Sequence, residues 1–276
     1  MTGLYISLAV FGGLLLAFQV TKFVYMARAT RKWQPVKSDW VEDDLSRMSA
    51  KQRRRFEEVV DALRVAGFEP VLCIRNGSIT MIEGMVYTLV ECRSTTEPTL
   101  TAFGVVLGFT AMGREILSHS FEITSKVARG GSVSCMNMKG STDLSTLDSV
   151  VLRYERIRDP AVLAAVLRGM VPRFGGAKPA DPPSVKRLNE IDDKSVRALH
   201  AAGKIEFSPD GKQFRFTWGQ ALLGWRLLLP GVDWVVSRRV RAESERWLRE
   251  SGVDAETLER AARFRLPSEL EETPVR

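Results

Sequence analysis

Cysteine and histidine are scarce in this chain of 276 residues, which contains three cysteines and two histidines. The cysteines, Cys73, Cys92 and Cys135, are scattered along the chain and have no metal-ligand spacing. An odd, unclustered set argues against a disulfide framework and is typical of reduced core thiols in a cytoplasmic domain. The two histidines, His119 and His200, have no carboxylate or thiol at ligand spacing, so the sequence predicts no metal site.

Motifs for phosphate binding are also absent. The glycine pairs Gly130-Gly131 and Gly175-Gly176 mark turns or a linker, because neither belongs to a phosphate loop or a dinucleotide fingerprint. In a strand, the alternation of side chains places His119 on the same face as Leu117 and Phe121. A histidine on an apolar face is more typical of a protein core than of a catalytic base. A cysteine–histidine nucleophile would also need a third orienting group, and none is identifiable. We therefore predict no catalytic residue and no cofactor.

The dominant feature that is present is an apolar stretch from Gly3 to Met26. Gly3 through Val20 carries no charge and consists mostly of Leu, Ile, Val, Phe, Ala and Gly. About 20 helical residues cross a bilayer core of about 30 Å, provided that Lys22 extends its amine toward the headgroups. Residues 1–32 are therefore predicted to form a single transmembrane anchor.

The distribution of charge around this stretch predicts its orientation. Only Met-Thr precedes the stretch, whereas the positive residues follow it. The positive-inside rule then places the N-terminus outside and the C-terminal domain in the cytoplasm, at the inner (plasma) membrane. A cleavable signal peptide is the alternative, and Ala27-Arg28-Ala29 matches a cleavage site formally. Because the positive n-region of such a peptide is absent, we predict a retained anchor.

Small residues recur within the anchor at intervals of four, at Ala9, Gly13 and Ala17. Such a stripe lets a second membrane helix approach closely. Glycine and alanine are also common in spanning helices for general reasons, so a helix–helix contact and a featureless span both remain open.

The net charge of +7 is concentrated just after the anchor. Between Lys22 and Arg55 there are ten Lys or Arg residues against four Asp or Glu. Basic residues beside a membrane attract anionic headgroups by about 1 kcal/mol each, so lipid is favoured over nucleic acid as the partner of this charge. The residues predicted to lie at the membrane interface here are Lys22, Arg28, Arg31, Lys32 and Trp33.

The next part of the chain is predicted to be an α+β domain over residues 49–172, after a juxtamembrane connector over 33–48. Ser49 and Gln52 match a capping box that opens a helix over about 50–66, and Asp159-Pro160 opens a second helix. Between them, short β-rich runs separated by turn residues predict an antiparallel meander with helices on one face. The predicted strands are 71–74, 85–92, 100–109, 115–127 and 133–138.

A linker over 173–183, rich in proline and glycine, is predicted to separate this domain from a mainly helical region with one β-hairpin over 184–266. Pro209-Asp210-Gly211 supplies the hairpin turn. Leu199, Gly203 and Lys204-Ile205 resemble the last helix and wing of a winged-helix domain, a likeness that covers only about 35 residues and implies nucleic-acid binding. Residues 267–276 are acidic and are predicted to be a disordered tail.

Tryptophan and arginine cluster in the second half of this region. The run 218–236 is too interrupted by charge and by Pro230-Gly231 to span a bilayer, but its composition suits an amphipathic helix lying in the interface. A buried core helix or an oligomer interface is the alternative. The residues predicted to contact the membrane are Trp218, Trp225, Trp234, Arg238, Arg239 and Arg241.

These patterns together favour a non-catalytic, membrane-anchored binding, scaffold or accessory subunit of a larger bacterial membrane assembly. The expected partners are anionic membrane lipids, and other membrane-protein subunits or further copies of the chain. Two alternatives belong to other classes: a membrane-tethered nucleic-acid-binding regulator, and an unrecognised thiol enzyme or hydrolase. Nucleic acid is the less favoured partner, because the basic charge lies beside the membrane.

Overall fold

The structure is a computed structural model. It describes residues 20–21, 24, 28, 31, 33–35, 40–43, 45–46, 48–76, 86–111, 114–138, 149–225, 238, 242 and 244–272. The described residues divide into two compact units. The large unit takes its residues from Asp39–Asn189 and Val240–Arg276, and the small unit takes its residues from Met1–Ser38 and Glu190–Arg239. One boundary between the units falls between Asn189 and Glu190.

A long sheet forms the large unit, in the strand order β2-β3-β4-β5-β6-β7-β8, with β9 paired to β6. All of its strand pairs are antiparallel except β7 with β8, which are parallel. The strands are β2 (Trp40–Glu42), β3 (Phe68–Asn76), β4 (Val86–Ser94), β5 (Leu100–Ala111), β6 (Arg114–Val127), β7 (Ser132–Met136), β8 (Ser149–Arg153) and β9 (Ala177–Lys178).

Helix α1 (Ala50–Val65) covers the inner face of this sheet, where it packs on β3, β5 and β6. Both halves of the predicted capping box are present: Ser49 accepts a hydrogen bond from the backbone N–H of Gln52, and the Gln52 side chain accepts one from the backbone N–H of Ser49. The helix approaches closely at Gly104 of β5, since a Cβ there would lie 2.5 Å from Cγ1 of Val59. Glycine at this position therefore sets the helix–sheet distance.

Helix α2 (Pro160–Met170) extends the same layer and packs on β6 and β7. It begins as predicted, with Asp159 accepting a hydrogen bond from the backbone N–H of Ala161 and Pro160 in the first turn. A short 3₁₀ helix, Val171–Phe174, follows it. The α+β class, with a large and mainly antiparallel sheet and several helices, is confirmed.

Two details of the predicted meander are wrong. The strand β8 was not predicted, and it pairs in parallel with β7. A parallel pair needs a crossover of about a dozen residues, so turn chemistry between neighbouring segments gives no sign of it. Helices also lie on both faces of the sheet, because Val185 and Leu188, at the start of helix α3 (Val185–Ala201), pack against Ile74, Leu89 and Val105 on the outer face.

The small unit contains the rest of α3, a three-stranded sheet and helix α4 (Trp218–Trp225). The predicted hairpin is confirmed as β10 (Ile205–Phe207) and β11 (Gln213–Phe216), which pair antiparallel. A third strand, β1 (Gln34–Pro35), pairs with β11 on its other side, so the sheet order is β1-β11-β10. Residues just beyond the predicted anchor are therefore part of this sheet.

The C-terminal residues return to the large unit. Residues 244–250 are helical, and helices α5 (Ala255–Arg263) and α6 (Pro267–Glu272) follow. Residues 267–272, which the sequence analysis assigned to a disordered tail, thus form a helix. Ser268 in α6 is buried, where it accepts a hydrogen bond from Arg55 and donates one to Glu58.

Among the described residues, no helix is both long enough and apolar enough to cross a bilayer. Most of the apolar stretch from Gly3 to Met26 lies outside the described residues, and the transmembrane anchor stays a prediction. The predicted site residues that also lie outside are Ala9, Gly13, Ala17, Lys22, Lys32, Trp234, Arg239 and Arg241.

Candidate functional site

The three-stranded sheet of the small unit has two chemically different faces. Along a strand, side chains alternate between the faces, and directly paired residues share one. Glu206 pairs with Arg215, whereas Phe207 pairs with Phe214 and Ile205 with Phe216. Within the hairpin, one face therefore carries the charged pair, and we call it the charged face; the other carries the four apolar residues, and we call it the apolar face.

The apolar face lies against helix α3. Ile205 is buried, and the ring of His200 from α3 stacks on Phe207 with the ring centroids 4.5 Å apart. His200 thus acts as a packing residue at the end of its helix. The hairpin contacts α3 through this apolar face, and the charged face lies on the other side of the sheet.

On the charged face, two tryptophan–arginine pairs meet at one carboxylate. The guanidinium of Arg31 lies 4.3 Å from the ring centroid of Trp218, and that of Arg215 lies 4.3 Å from the ring centroid of Trp33. Both arginines donate hydrogen bonds to Glu206, Arg215 over 3.3 Å, and Arg31 also donates to the backbone carbonyl of Phe216 over 3.1 Å. We call this set the Trp–Arg face; its members are Arg31, Trp33, Glu206, Arg215 and Trp218.

The ion pairs on this face hold the arginine side chains in place. Hydrogen bonding from Arg215, and then from Arg31, holds the pKa of the Glu206 carboxyl below its ordinary value. Glu206 therefore stays ionised at neutral pH, and the face carries two positive charges and one negative charge. The indole rings of Trp33 and Trp218 remain 38% and 45% exposed.

The Trp–Arg face brings together residues that were predicted separately to lie at the membrane interface. Arg31 and Trp33 were expected there as part of the juxtamembrane segment, and Trp218 as part of a distant helix. Arg28 and Arg238 are exposed, and Trp225 is in α4. Contact of any of these residues with lipid stays a prediction.

A second charged cluster lies on the outer face of the large sheet, and sequence reasoning missed it. Glu91 of β4 is completely buried, and it accepts hydrogen bonds from Arg93 and from Arg187, the latter over 3.1 Å and 3.2 Å to its two oxygens. Both guanidinium groups also donate to the backbone carbonyl of Asp181. We call Glu91, Arg93, Asp181 and Arg187 the Glu91 cluster.

The Glu91 cluster ties the segment before α3 to the sheet. Lys126 of β6 donates a hydrogen bond to the carboxylate of Asp181, and this bond holds the pKa of Asp181 below its ordinary value. On the same strand, burial raises the pKa of Glu122, which accepts a hydrogen bond from Ser134. In the sequence, Glu91 stands between two apolar residues, Val90 and Cys92. This pattern marks an unusual position for a charge, but it does not identify the residues that pair with Glu91.

The side chain of His119 lies on the inner face of the large sheet and is 9% exposed. Its Nδ1 lies 3.9 Å from Oε1 of Glu269, and Arg55, Glu58 and Arg158 are the other charged groups that act on it. The pKa of His119 is lowered from 6.5 to about 4, chiefly by burial and in part by Arg55 and Arg158, against the opposing effect of Glu269. The imidazole is therefore neutral at pH 7.

This depressed pKa predicts a stability loss in acid. Between pH 6.5 and pH 4 the unfolded chain binds a proton at His119 that the folded chain does not, so stability falls as the pH falls. The loss is on the order of 3 kcal/mol at most, at about 1.4 kcal/mol per pKa unit. Denaturant unfolding of wild type and of His119→Gln from pH 7.5 to 4 should show a flatter pH profile for the variant. Parallel profiles would contradict the assignment.

The three thiols are poor nucleophile candidates. Burial raises the pKa of Cys73 and of Cys92 to about 12, and it also raises that of Cys135. Because the thiolate is the reactive form, these cysteines are almost entirely protonated at neutral pH. In the part of the chain that the structure describes, no group of three or more His, Cys, Asp or Glu residues could hold a metal ion.

Comparison with known proteins adds no relative. No protein-family model matches the chain, and searches of curated proteins and of solved structures found no match. The fold defines an α+β protein with a large, mainly antiparallel sheet in one unit and a helix and hairpin in the other.

Proposed function

We propose that the protein is a non-catalytic, membrane-anchored binding or accessory subunit of a larger membrane assembly. The observation that carries the proposal is the position of Arg31 and β1. These residues belong to the folded small unit, yet they follow the apolar stretch almost directly.

The distance available between membrane and folded unit supports this proposal. Arg31 comes nine residues after Lys22, the first charged residue that follows Gly3. Nine residues reach at most about 30 Å when extended and about 14 Å as a helix. A membrane anchor formed by the apolar stretch would therefore hold the small unit close to the bilayer. A domain held this way suits binding to neighbouring membrane proteins rather than a freely diffusing partner.

The alternatives have less support. A thiol enzyme would need an activated cysteine, and the pKa values of all three thiols are raised by burial. A winged-helix regulator would need a basic recognition helix, but in α3 the side chain of Arg197 is paired with Asp193 at 2.9 Å. Asp193 lowers the net positive charge of this part of α3, and phosphate contacts depend on arginine and lysine.

The test begins with membranes from cells that express the full-length chain. Alkaline carbonate extraction should leave the protein in the membrane pellet. After gentle solubilisation, size-exclusion chromatography with mass spectrometry should show a stoichiometric second membrane protein or a defined homo-oligomer. A monodisperse monomer with nothing bound would overturn the subunit proposal.

A matched pair of variants tests the anchor itself. Leu15→Arg places a charge within the apolar stretch at a cost of at least about 2.5 kcal/mol, so the variant should shift to the carbonate supernatant. Leu15→Ala removes the leucine side chain without adding a charge, and this variant should stay in the pellet. Release of the wild-type protein by carbonate would contradict the anchor.

A further inference from the structure

Two tryptophan residues, Trp33 and Trp218, are partly exposed on one small surface. Trp33 and Trp218 belong to the same Trp–Arg face although 185 positions separate them in the chain. On the opposite face of that sheet, Ile205 is buried and Phe207 stacks on His200 of α3. The Trp–Arg face instead keeps large apolar rings partly in water, which typically marks a binding surface.

The arginines of this face are ordered in advance. Arg31 and Arg215 each lie over an indole ring and share the carboxylate of Glu206. The side chain of Arg215 is 33% exposed, and a guanidinium held this way loses little conformational freedom when it donates hydrogen bonds to a phosphate. Indole rings beside guanidinium groups match the chemistry of the bilayer interface, where tryptophan is enriched at headgroup depth.

The position of the face in the chain selects lipid as the occupant. Trp33 comes only eleven residues after Lys22, so the face lies within about 40 Å of the predicted membrane exit. The exposed side chains of Arg28, Lys204 and Lys212, in the same unit, add positive charge. Such charge is complementary to an anionic leaflet.

We propose that the Trp–Arg face is a lipid-contact surface that inserts Trp33 and Trp218 at headgroup depth in an anionic bilayer. This inference rests on the proposed membrane anchoring and goes beyond it, because an anchored domain need not touch the bilayer with its folded part. The contact would set the orientation of the small unit on the membrane.

The experiment uses the full-length chain in nanodiscs of phosphatidylcholine with phosphatidylglycerol. Three single-tryptophan variants retain Trp33, Trp218 or Trp247, with phenylalanine at the other five tryptophan positions. Lipids brominated near the headgroup should quench the emission of Trp33 and Trp218. Trp247 is the matched control, because its ring packs on Phe174 in the large unit at a centroid distance of 5.7 Å, and its emission should be retained.

A second measurement needs no substitution. Oxidative footprinting of the wild-type protein should show Trp33 and Trp218 protected in anionic nanodiscs relative to detergent, with less protection in phosphatidylcholine alone. Quenching and protection no greater than those of Trp247 would overturn the inference. Protection that appears only when a co-purified protein or nucleic acid is added would also overturn it, in favour of that occupant.

The two proposals fail separately in these tests. A carbonate-resistant protein that keeps its partner but shows no quenching of Trp33 and Trp218 refutes the lipid-contact surface alone. A protein released by carbonate, whose Trp33 and Trp218 are still quenched by added anionic vesicles, refutes the anchor alone.

Discussion

Replacement of Glu91 by alanine is expected to destabilise the large unit by about 3 kcal/mol, because removing one partner of a buried ion pair leaves an uncompensated charge. Glu91 is completely buried and is the carboxylate that Arg93 and Arg187 share. Removal of this carboxylate leaves the guanidinium groups of Arg93 and Arg187 close together where water solvates them poorly. For a unit of this size, a loss of about 3 kcal/mol lowers Tm by roughly 10 °C.

The measurement is thermal unfolding of the full-length protein in detergent, followed by intrinsic fluorescence. Glu97→Ala is the matched control, since Glu97 pairs with Arg168 at 2.6 Å but both side chains are more than one-third exposed. An exposed pair contributes about 0–1 kcal/mol, so this variant should unfold close to wild type. Equal effects of the two substitutions would contradict a special role for Glu91.

A double variant separates the lost pair from a general packing defect. If the cost of Glu91→Ala comes from uncompensated positive charge, removing one of the two guanidinium groups as well should recover part of the stability. Glu91→Ala with Arg187→Met is therefore expected to be more stable than the sum of the two single substitutions predicts. Simple additivity would indicate that the two side chains act independently.

Gly169→Ala is expected to destabilise the large unit, although alanine normally improves a helix. Gly169 lies in α2, and a Cβ there would be 2.1 Å from the backbone oxygen of Ser251 and 2.8 Å from its Cα. A backbone contact of this kind cannot be relieved by a rotamer change, so α2 and the chain around Ser251 must move apart. Overpacking of this kind costs about 1–3 kcal/mol, which exceeds the roughly 0.5–1 kcal/mol gained from helix propensity.

The opposite effect on stability is expected for a glycine-to-alanine substitution at Gly219 in α4, where an added Cβ would have no atom within 4 Å. Gly219→Ala should leave Tm unchanged or raise it slightly, and thermal unfolding of both variants under the same conditions checks the contrast. Limited proteolysis after residue 170 and around residue 251 should also accelerate in Gly169→Ala. Unchanged stability and cleavage in Gly169→Ala would contradict the close approach of the two segments.

Much of the local structure could be predicted from residue patterns. The capping box at Ser49 and the apolar spacing of Phe56, Val59 and Leu63 define α1, because both signals act within a few residues of each other. Asp210-Gly211 predicted the hairpin for the same reason, since a tight turn is a local property. The scattered cysteines were expected to be reduced core thiols, and all three are free and at least partly buried.

Side-chain partners far apart in the chain could not be predicted in this way. The period of a strand assigns a residue to a face, but it does not say which strand will lie beside it. The pairing of Arg31 with Glu206 therefore became visible only when β1 joined β11, and the burial of Glu91 only when α3 brought Arg187 to it. Both the Trp–Arg face and the Glu91 cluster depend on such distant contacts.

The sequence by itself determined where the apolar stretch lies, where helices α1 and α2 begin, and where the β10–β11 hairpin turns. These properties depend on backbone preferences and hydrophobic periodicity over a few residues. Only the tertiary structure decided that β8 runs parallel to β7, that α3 begins on the outer face of the sheet, and that Trp33 and Trp218 share one face. Such contacts follow from how the whole chain closes on itself, because many pairings have similar local energies and the complete core selects among them.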